Sequence, residues 1–101
     1  MAGLNCGTPS LSAWKIIHDL ADAFISIGDE WAEDAIRSLH KAGYQTCESG
    51  AAGLAGLMAL YYSAELKPVK EHFGFDENSS FLVFNTEGIT DPEMFRKITA
   101  W

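Results

Sequence analysis

The segment of residues 50–65 is apolar on two sides of a single predicted helix, and this constrains the fold more than any other feature. Large side chains recur at helical spacing on one side, at Leu54, Leu57, Met58, Tyr61 and Tyr62. Small residues recur on the other, at Ala52, Gly56, Ala59 and Ser63. A helix of this kind normally lies between two layers of a core. The sequence therefore predicts that residues 50–65 are covered on both sides.

Two segments read as strands that end in a glycine turn before a helix. Residues 44–48 precede Ser49 and Gly50, and the continuous apolar run 81–84 precedes the polar stretch that ends at Gly88. A run like 81–84 is typical of a parallel strand buried on both faces. The predicted fold class is α/β, with helices flanking two short parallel strands. The carboxyl ends of such strands form an edge where a ligand can bind.

Four further helices are predicted from caps and apolar spacing. The first begins with Thr8 as N-cap and Pro9 at the first helical position and extends to Gly28; the others cover residues 29–42, 68–73 and a last segment capped by Asp91. Gly43 and Gly74 are suited to close two of them in the left-handed conformation.

Composition limits the partners and the size of the fold. The chain has 101 residues, of which 48% are hydrophobic, and a formal net charge of −7. This charge argues against nucleic acids and anionic membrane surfaces as partners. Because two strands make a poor sheet, residues 1–101 are predicted to be a single partial domain of a larger fold.

The N-terminal residues lack the pattern of a secretory leader, and no apolar run is long enough for a membrane helix. A cytoplasmic protein is therefore expected. Cys6 and Cys47 lack zinc-ligand spacing and are expected to be free thiols, with a disulfide as the alternative.

Few residues form a recognisable chemical constellation. His18, His40 and His72 fall in three different predicted helices, which indicates neither a metal site nor a catalytic triad. The glycine-rich stretch 49–56 lacks the Gly-Lys-Ser/Thr of a phosphate loop, so close helix packing competes with anion binding as its role. Glu48 is expected at a strand end beside a helix N-terminus, either as a structural cap or as a cofactor or substrate contact.

Three motifs, in the same order, closely resemble segments of diaminopropionate ammonia-lyase. They are Met-Ala-Gly-Leu-Asn-Cys-Gly-Thr-Pro at residues 1–9, Glu-Ser-Gly-Ala-Ala-Gly at 48–53 and Phe-Asn-Thr-Glu-Gly-Ile-Thr-Asp-Pro at 84–92. The resemblance covers nearly the whole chain and matches the C-terminal portion of a longer enzyme. That family is similar to tryptophan synthase β and threonine synthase. The resemblance thus implies part of the large domain of a fold-type II pyridoxal-phosphate enzyme.

The resemblance also implies a cofactor site. Family members release pyruvate and ammonia from 2,3-diaminopropionate by α,β-elimination, with pyridoxal 5'-phosphate as electron sink. Asn85 aligns with a residue that donates to the pyridine nitrogen; Thr86 beside it is the alternative donor, and Glu48 matches an acidic residue near the ring. Asn85 departs from the usual small hydroxyl residue. No lysine here stands in a motif matching the family's Schiff-base lysine, and the phosphate loop is also missing.

Two hypotheses follow from the sequence. The first is that the chain is a C-terminal fragment of a diaminopropionate ammonia-lyase, inactive alone, with no catalytic residue of its own. Its partners would be the small amino-acid substrate and either the missing N-terminal portion or further copies of the chain. The second is a stand-alone interaction module that kept this scaffold and oligomerises through its exposed apolar faces.

Overall fold

A computed structural model of the chain describes residues 1–100, and these form five α-helices and two short 3₁₀ turns. The helices are α1 (Leu11–Leu20), α2 (Asp29–Lys41), α3 (Ala52–Tyr62), α4 (Lys67–Phe73) and α5 (Pro92–Thr99). The 3₁₀ turns cover Ala2–Leu4 and Ala64–Leu66. The described part of the chain measures 38 × 35 × 21 Å, which is a flattened shape.

The predicted α/β class is wrong, because residues 1–100 contain no strand or sheet. The two segments predicted as strands, 44–48 and 81–84, lack regular secondary structure. Leu82 and Phe84 are 80% and 72% exposed, whereas parallel strands are buried on both faces. Two short segments without further strands do not form a stable sheet. The contacts that hold this region together are made by side chains instead.

The core is built where α2 packs between α3 and α5. Four alanines that are at most 1% exposed line the contact of α2 with α3, namely Ala32, Ala35, Ala51 and Ala55. Ile36 of α2 and Ile98 of α5 complete the cluster. Small side chains let the two helix backbones approach closely, so the core is thin and depends on few large residues.

The predicted helix ends are confirmed for α2, α4 and α5. Gly43 and Gly74 follow α2 and α4 with φ of 90° and 73°, values that favour glycine. The Asp91 carboxylate accepts a hydrogen bond from the Met94 N–H at 3.0 Å and caps α5. Acidic residues in the first turn of α2 and basic residues in its last turn complement the helix dipole.

The prediction for the first helix is wrong at both ends. Ser10, not Thr8, is the N-cap, and its hydroxyl accepts from the Ala13 N–H at 3.3 Å. The helix ends at Leu20 instead of extending to Gly28. All ten residues of α1 are exposed, and its backbone approaches none of the other described helices. Helices gain most of their stability from packing, and α1 has no packing to extend it.

The third predicted helix is confirmed as α3, although it is shorter than expected. Its buried positions are Ala55, Ala59 and Leu60, whereas Tyr62, from the stripe of large residues, is 77% exposed. The cover expected on both sides is therefore incomplete. Among residues 1–100, no helix combines the length and apolar character needed to cross a membrane.

Candidate functional site

The two motif segments meet at the N-terminal end of α3 through side-chain hydrogen bonds. The hydroxyl of Thr46, which is fully buried, donates to Oδ1 of Asn85 at 2.7 Å. Nδ2 of Asn85 donates in return to the backbone carbonyl of Gln45 at 3.2 Å. We refer to this pair of bonds as the Thr46–Asn85 clamp. It fixes the Asn85 amide in one orientation, which a single bond would not do.

Position 50 has room for a glycine but not for a larger residue. A Cβ at this position would lie 2.6 Å from Asn85 Oδ1, from the Glu87 carbonyl oxygen and from Thr46 Oγ1. One of these neighbours is backbone, so it cannot turn aside as a flexible side-chain tip would. The glycine lets the first segment approach the second closely enough for the clamp to form.

A cavity of about 250 Å³ lies on one side of the clamp. Its polar wall includes Glu48, Glu87 and Asp91, and its apolar wall includes Ile36 and Phe95. The Cys47 thiol donates to Oε2 of Glu87 at 3.1 Å. We call this space the acidic cavity, because carboxylates supply its charged side chains.

Glu48 is partly exposed in the acidic cavity and binds a primary amine of the same chain. Its Oε2 atom lies 2.8 Å from the Met1 amino nitrogen, and the Glu48 side chain is 26% exposed. This hydrogen bond raises the pKa of the Met1 amino group, while burial opposes the shift. The Ser49 hydroxyl accepts from the Gly3 N–H at 3.1 Å, so both residues hold the N-terminal segment against this wall.

Asn85 lines a different cavity, of about 230 Å³, on the other side of the clamp. Leu39, Leu54 and Phe84 make this second cavity mostly apolar. The structure therefore brings the two predicted segments together, but it does not place Glu48 and Asn85 in one cavity. Thr86 is exposed and follows Asn85 along the chain.

Sequence reasoning missed Thr46 and Glu87 as parts of this site. The only sequence signal for Thr46 was a β-branched hydroxyl residue close before the Glu48 motif, which is a weak one. Glu87 lies inside the third motif, and its contact with Cys47, 40 positions away, has no local signature.

The other predicted residues take up local roles. His18 contacts Asp19 at 3.1 Å, His40 meets the Phe95 ring edge-on at 5.3 Å, and His72 packs on Phe73. Cys6 and Cys47 are free thiols, as expected; Cys6 is exposed and Cys47 is half-buried.

The chain is similar in sequence to curated proteins that are named as ammonia-lyases. Diaminopropionate ammonia-lyase of Escherichia coli strain K12 is 34% identical over 103 residues, and the protein of that name from Salmonella typhimurium is 33% identical over 104. Each match covers 97% of this chain and 26% of the relative. No family model matches the chain.

The resemblance to diaminopropionate ammonia-lyase, predicted from the three motifs, is thereby confirmed. The chain spans about a quarter of the length of the curated relatives it matches.

Proposed function

We propose that the chain is the C-terminal portion of a diaminopropionate ammonia-lyase. In that role it supplies one wall of a pyridoxal 5'-phosphate site for the α,β-elimination of 2,3-diaminopropionate to pyruvate and ammonia. The similarity to enzymes of this name over 97% of the chain supports the assignment. Because the relatives are about four times as long, the proposal includes that these residues do not catalyse the reaction alone.

The observation that carries the cofactor assignment is the Thr46–Asn85 clamp. An amide nitrogen bears two N–H groups, and the bond to Gln45 uses one of those on Asn85. The other can donate to a pyridine nitrogen, and the clamp holds it in a fixed direction. Asn85 is also exposed, so a ligand can reach it. The side chain therefore fits the proposed cofactor, with the Thr86 hydroxyl as the neighbouring donor.

When bound, the cofactor supplies the electron-withdrawing ring, and the role of this chain is to bind and orient that ring. Asn85 would fix the nitrogen edge, and the apolar residues beside it would exclude water from that edge. Glu48 faces the acidic cavity instead. Its assignment to the same cofactor therefore rests on the resemblance alone.

The position of the lysines supports the inactivity of the isolated chain. Neither cavity, as lined by residues 1–100, includes a lysine. Lys67 and Lys70 line a third cavity beside Tyr61 and Tyr62, at the C-terminal end of α3. The covalent attachment that the family requires would therefore come from outside this chain.

A chimeric enzyme tests the proposal. The matching quarter of the Escherichia coli enzyme is replaced by this chain, and pyruvate release from 2,3-diaminopropionate is measured with pyridoxal 5'-phosphate present. We expect the chimera to release pyruvate and the isolated chain to release none. Asn85→Ala in the chimera should raise the concentration of cofactor needed for activity, because it removes a donor to the ring. Asn78→Ala, in an exposed turn, is the matched control and should leave that requirement unchanged.

Two results would contradict the proposal. One is pyruvate release by the isolated chain. The other is a folded but inactive chimera, since the chain would then lack what the matching portion of the relative supplies.

A further inference from the structure

Asn85 is an exposed residue, yet both ends of its amide are held by hydrogen bonds. The backbone carbonyl of Gln45 can only accept a hydrogen bond, so the amide atom that faces it must be the nitrogen Nδ2. Turning the amide over would place Oδ1 against that carbonyl, and two acceptors would then meet. The partners of the amide therefore determine which atom lies on which side.

The oxygen end of the amide depends on Thr46. This residue is 0% exposed, and its hydroxyl donates to Oδ1 of Asn85. Within residues 1–100, the other acceptors near the hydroxyl are the backbone carbonyls of Cys47 and Glu87, at longer distances. Asn85 is thus the side chain that this buried hydroxyl holds in place.

The two bonds leave one N–H of Asn85 in a defined direction. Nδ2 bears two N–H groups, and residues 1–100 use one of them, in the bond to Gln45. The χ2 torsion of an asparagine has no sharp preference of its own, so its partners must set it. With the Gln45 bond alone, the amide could pivot about that bond, and the second N–H would point in a range of directions.

We propose that Thr46 is a positioning residue for the cofactor, because its hydroxyl directs the second N–H of Asn85 toward the ring nitrogen. This inference rests on the proposed function, in which Asn85 donates to the pyridine nitrogen of pyridoxal 5'-phosphate. Thr46 is not among the residues that line the second cavity, as formed by residues 1–100, so it acts through Asn85.

The size of the effect has an upper limit. A hydrogen bond weakens steeply when its donor is misdirected, and the net contribution of one such bond corresponds to about a twofold to tenfold change in Kd. If Thr46 acts only through Asn85, removing its hydroxyl cannot weaken cofactor binding more than removing the Asn85 amide does.

A double-mutant cycle in the chimera described above tests the proposal. The Kd of pyridoxal 5'-phosphate is measured by fluorescence titration of the cofactor-free chimera. We expect Asn85→Ala to raise this Kd about twofold to tenfold, Thr46→Val to raise it by no more than that, and Thr46→Ser to restore it. When Asn85→Ala is already present, Thr46→Val should change the Kd no further, because the hydroxyl then has no amide to direct.

Thr99→Val is the matched control for Thr46→Val. The Thr99 hydroxyl also donates at 2.7 Å, but to the Phe95 carbonyl within α5. The variant therefore removes a hydrogen bond of the same length without touching Asn85, and it should leave the Kd unchanged. Equal rises in Kd for the two variants would overturn the proposal, since they would reflect a general loss of stability.

A second measurement needs no cofactor and uses the whole chain by itself. Nitrogen-15 relaxation gives the order parameter of the Asn85 Nδ2 group. We expect about 0.85 in the parent and in Thr99→Val, as for rigid backbone, and less than about 0.6 in Thr46→Val. A mobile Asn85 amide in the parent would overturn the proposal, and so would an amide that stays rigid in Thr46→Val. This result decides the matter if the Thr46→Val chimera does not fold.

The positioning role and the proposed function fail in different ways. If Asn85→Ala leaves the Kd unchanged, Asn85 does not contact the cofactor, and the proposed cofactor wall is wrong as well. If Asn85→Ala raises the Kd but Thr46→Val does not, only the positioning role is wrong. The same conclusion follows if Thr46→Val raises the Kd equally with and without the Asn85 amide, as a purely structural role would.

Discussion

Thr46 has more influence on the candidate site than its size suggests. Its hydroxyl has one proton and lies near three acceptors: Asn85 Oδ1 at 2.7 Å, the Cys47 carbonyl at 3.2 Å and the Glu87 carbonyl at 3.3 Å. The shortest of these contacts takes the proton. Because Thr46 is fully buried, its hydroxyl has no water to bond in place of Asn85.

Replacing this hydroxyl should destabilise the fold as well as the site. We expect Thr46→Val, which keeps the shape of the side chain, to lower the free energy of unfolding by about 0.5–1.5 kcal/mol, the net contribution typical of one intramolecular hydrogen bond. Thr46→Ser should cost less, because it keeps the hydroxyl. Chemical denaturation measures both values.

Thr8→Val is the matched control for this substitution. Thr8 is exposed, so the same chemical change should stay within about 0.5 kcal/mol of the parent. Equal losses for the Thr8 and Thr46 variants would contradict the role of the clamp.

At the scale of elements, helices α1 and α2 are both amphipathic, but only α2 is packed. Ile36 of α2 is 1% exposed, whereas Ile16 of α1 is 61% exposed. Their sequences alone do not distinguish them, because both show apolar residues at helical spacing. The difference lies in whether a neighbouring element covers the apolar side.

The same substitution in the two helices should have different effects. Ile36→Val removes one buried methylene group from the core between α2 and α5 and should cost about 0.5–1.5 kcal/mol of unfolding free energy. Ile16→Val should cost close to nothing, since that side chain is already mostly in water. Thermal or urea unfolding of the two variants checks this, and equal shifts would contradict the packing described here.

Local sequence signals were sufficient to predict the helix ends that are set by a capping residue or a glycine. Asp91 with Pro92, Gly43 and Gly74 each act within one helical turn, so their roles follow from neighbouring residues. The two strand predictions were wrong because a strand depends on residues far away in the chain. The run 81–84 has the composition of a strand, but a strand also needs a partner from elsewhere, and residues 1–100 provide none. Close approach of the two segments was predicted, although side chains and not a backbone ladder achieve it.

At the scale of the whole molecule, the chain is less compact than its length allows. Its radius of gyration is 14.7 Å, whereas a compact domain of this length has a value of about 13 Å. The core of alanines and two isoleucines lies in the α2, α3 and α5 region, while α1 stands apart. Stability should therefore be uneven along the chain.

Hydrogen exchange should show this unevenness. We expect the amides of α1 to exchange much faster than those of α2 and α3, because α1 can open without disturbing the core. Mass spectrometry of peptides from each helix measures the rates. Equal protection of α1 and α2 would contradict the separation of α1 from the core.

Part of the candidate site could be predicted from the sequence, namely the part that depends on local motifs. Asn85 and Glu48 were identified from motifs, and both lie where the two segments meet. Their separation into two cavities was not predictable, because it depends on the direction of each side chain across the clamp. Thr46 and Glu87 act through contacts 39 to 41 positions away in the chain, which leave no local pattern.

The Thr46–Asn85 clamp also has a consequence for how this region tolerates genetic change. A backbone ladder survives most codon changes, since every residue except proline supplies the same N–H and C=O groups. Here the connection between the two segments depends on the identities of Thr46 and Asn85 and on the absence of a side chain at Gly50. A missense change that removes the Thr46 hydroxyl or the Asn85 amide, or that adds a side chain at Gly50, therefore weakens a connection that a backbone ladder would have kept.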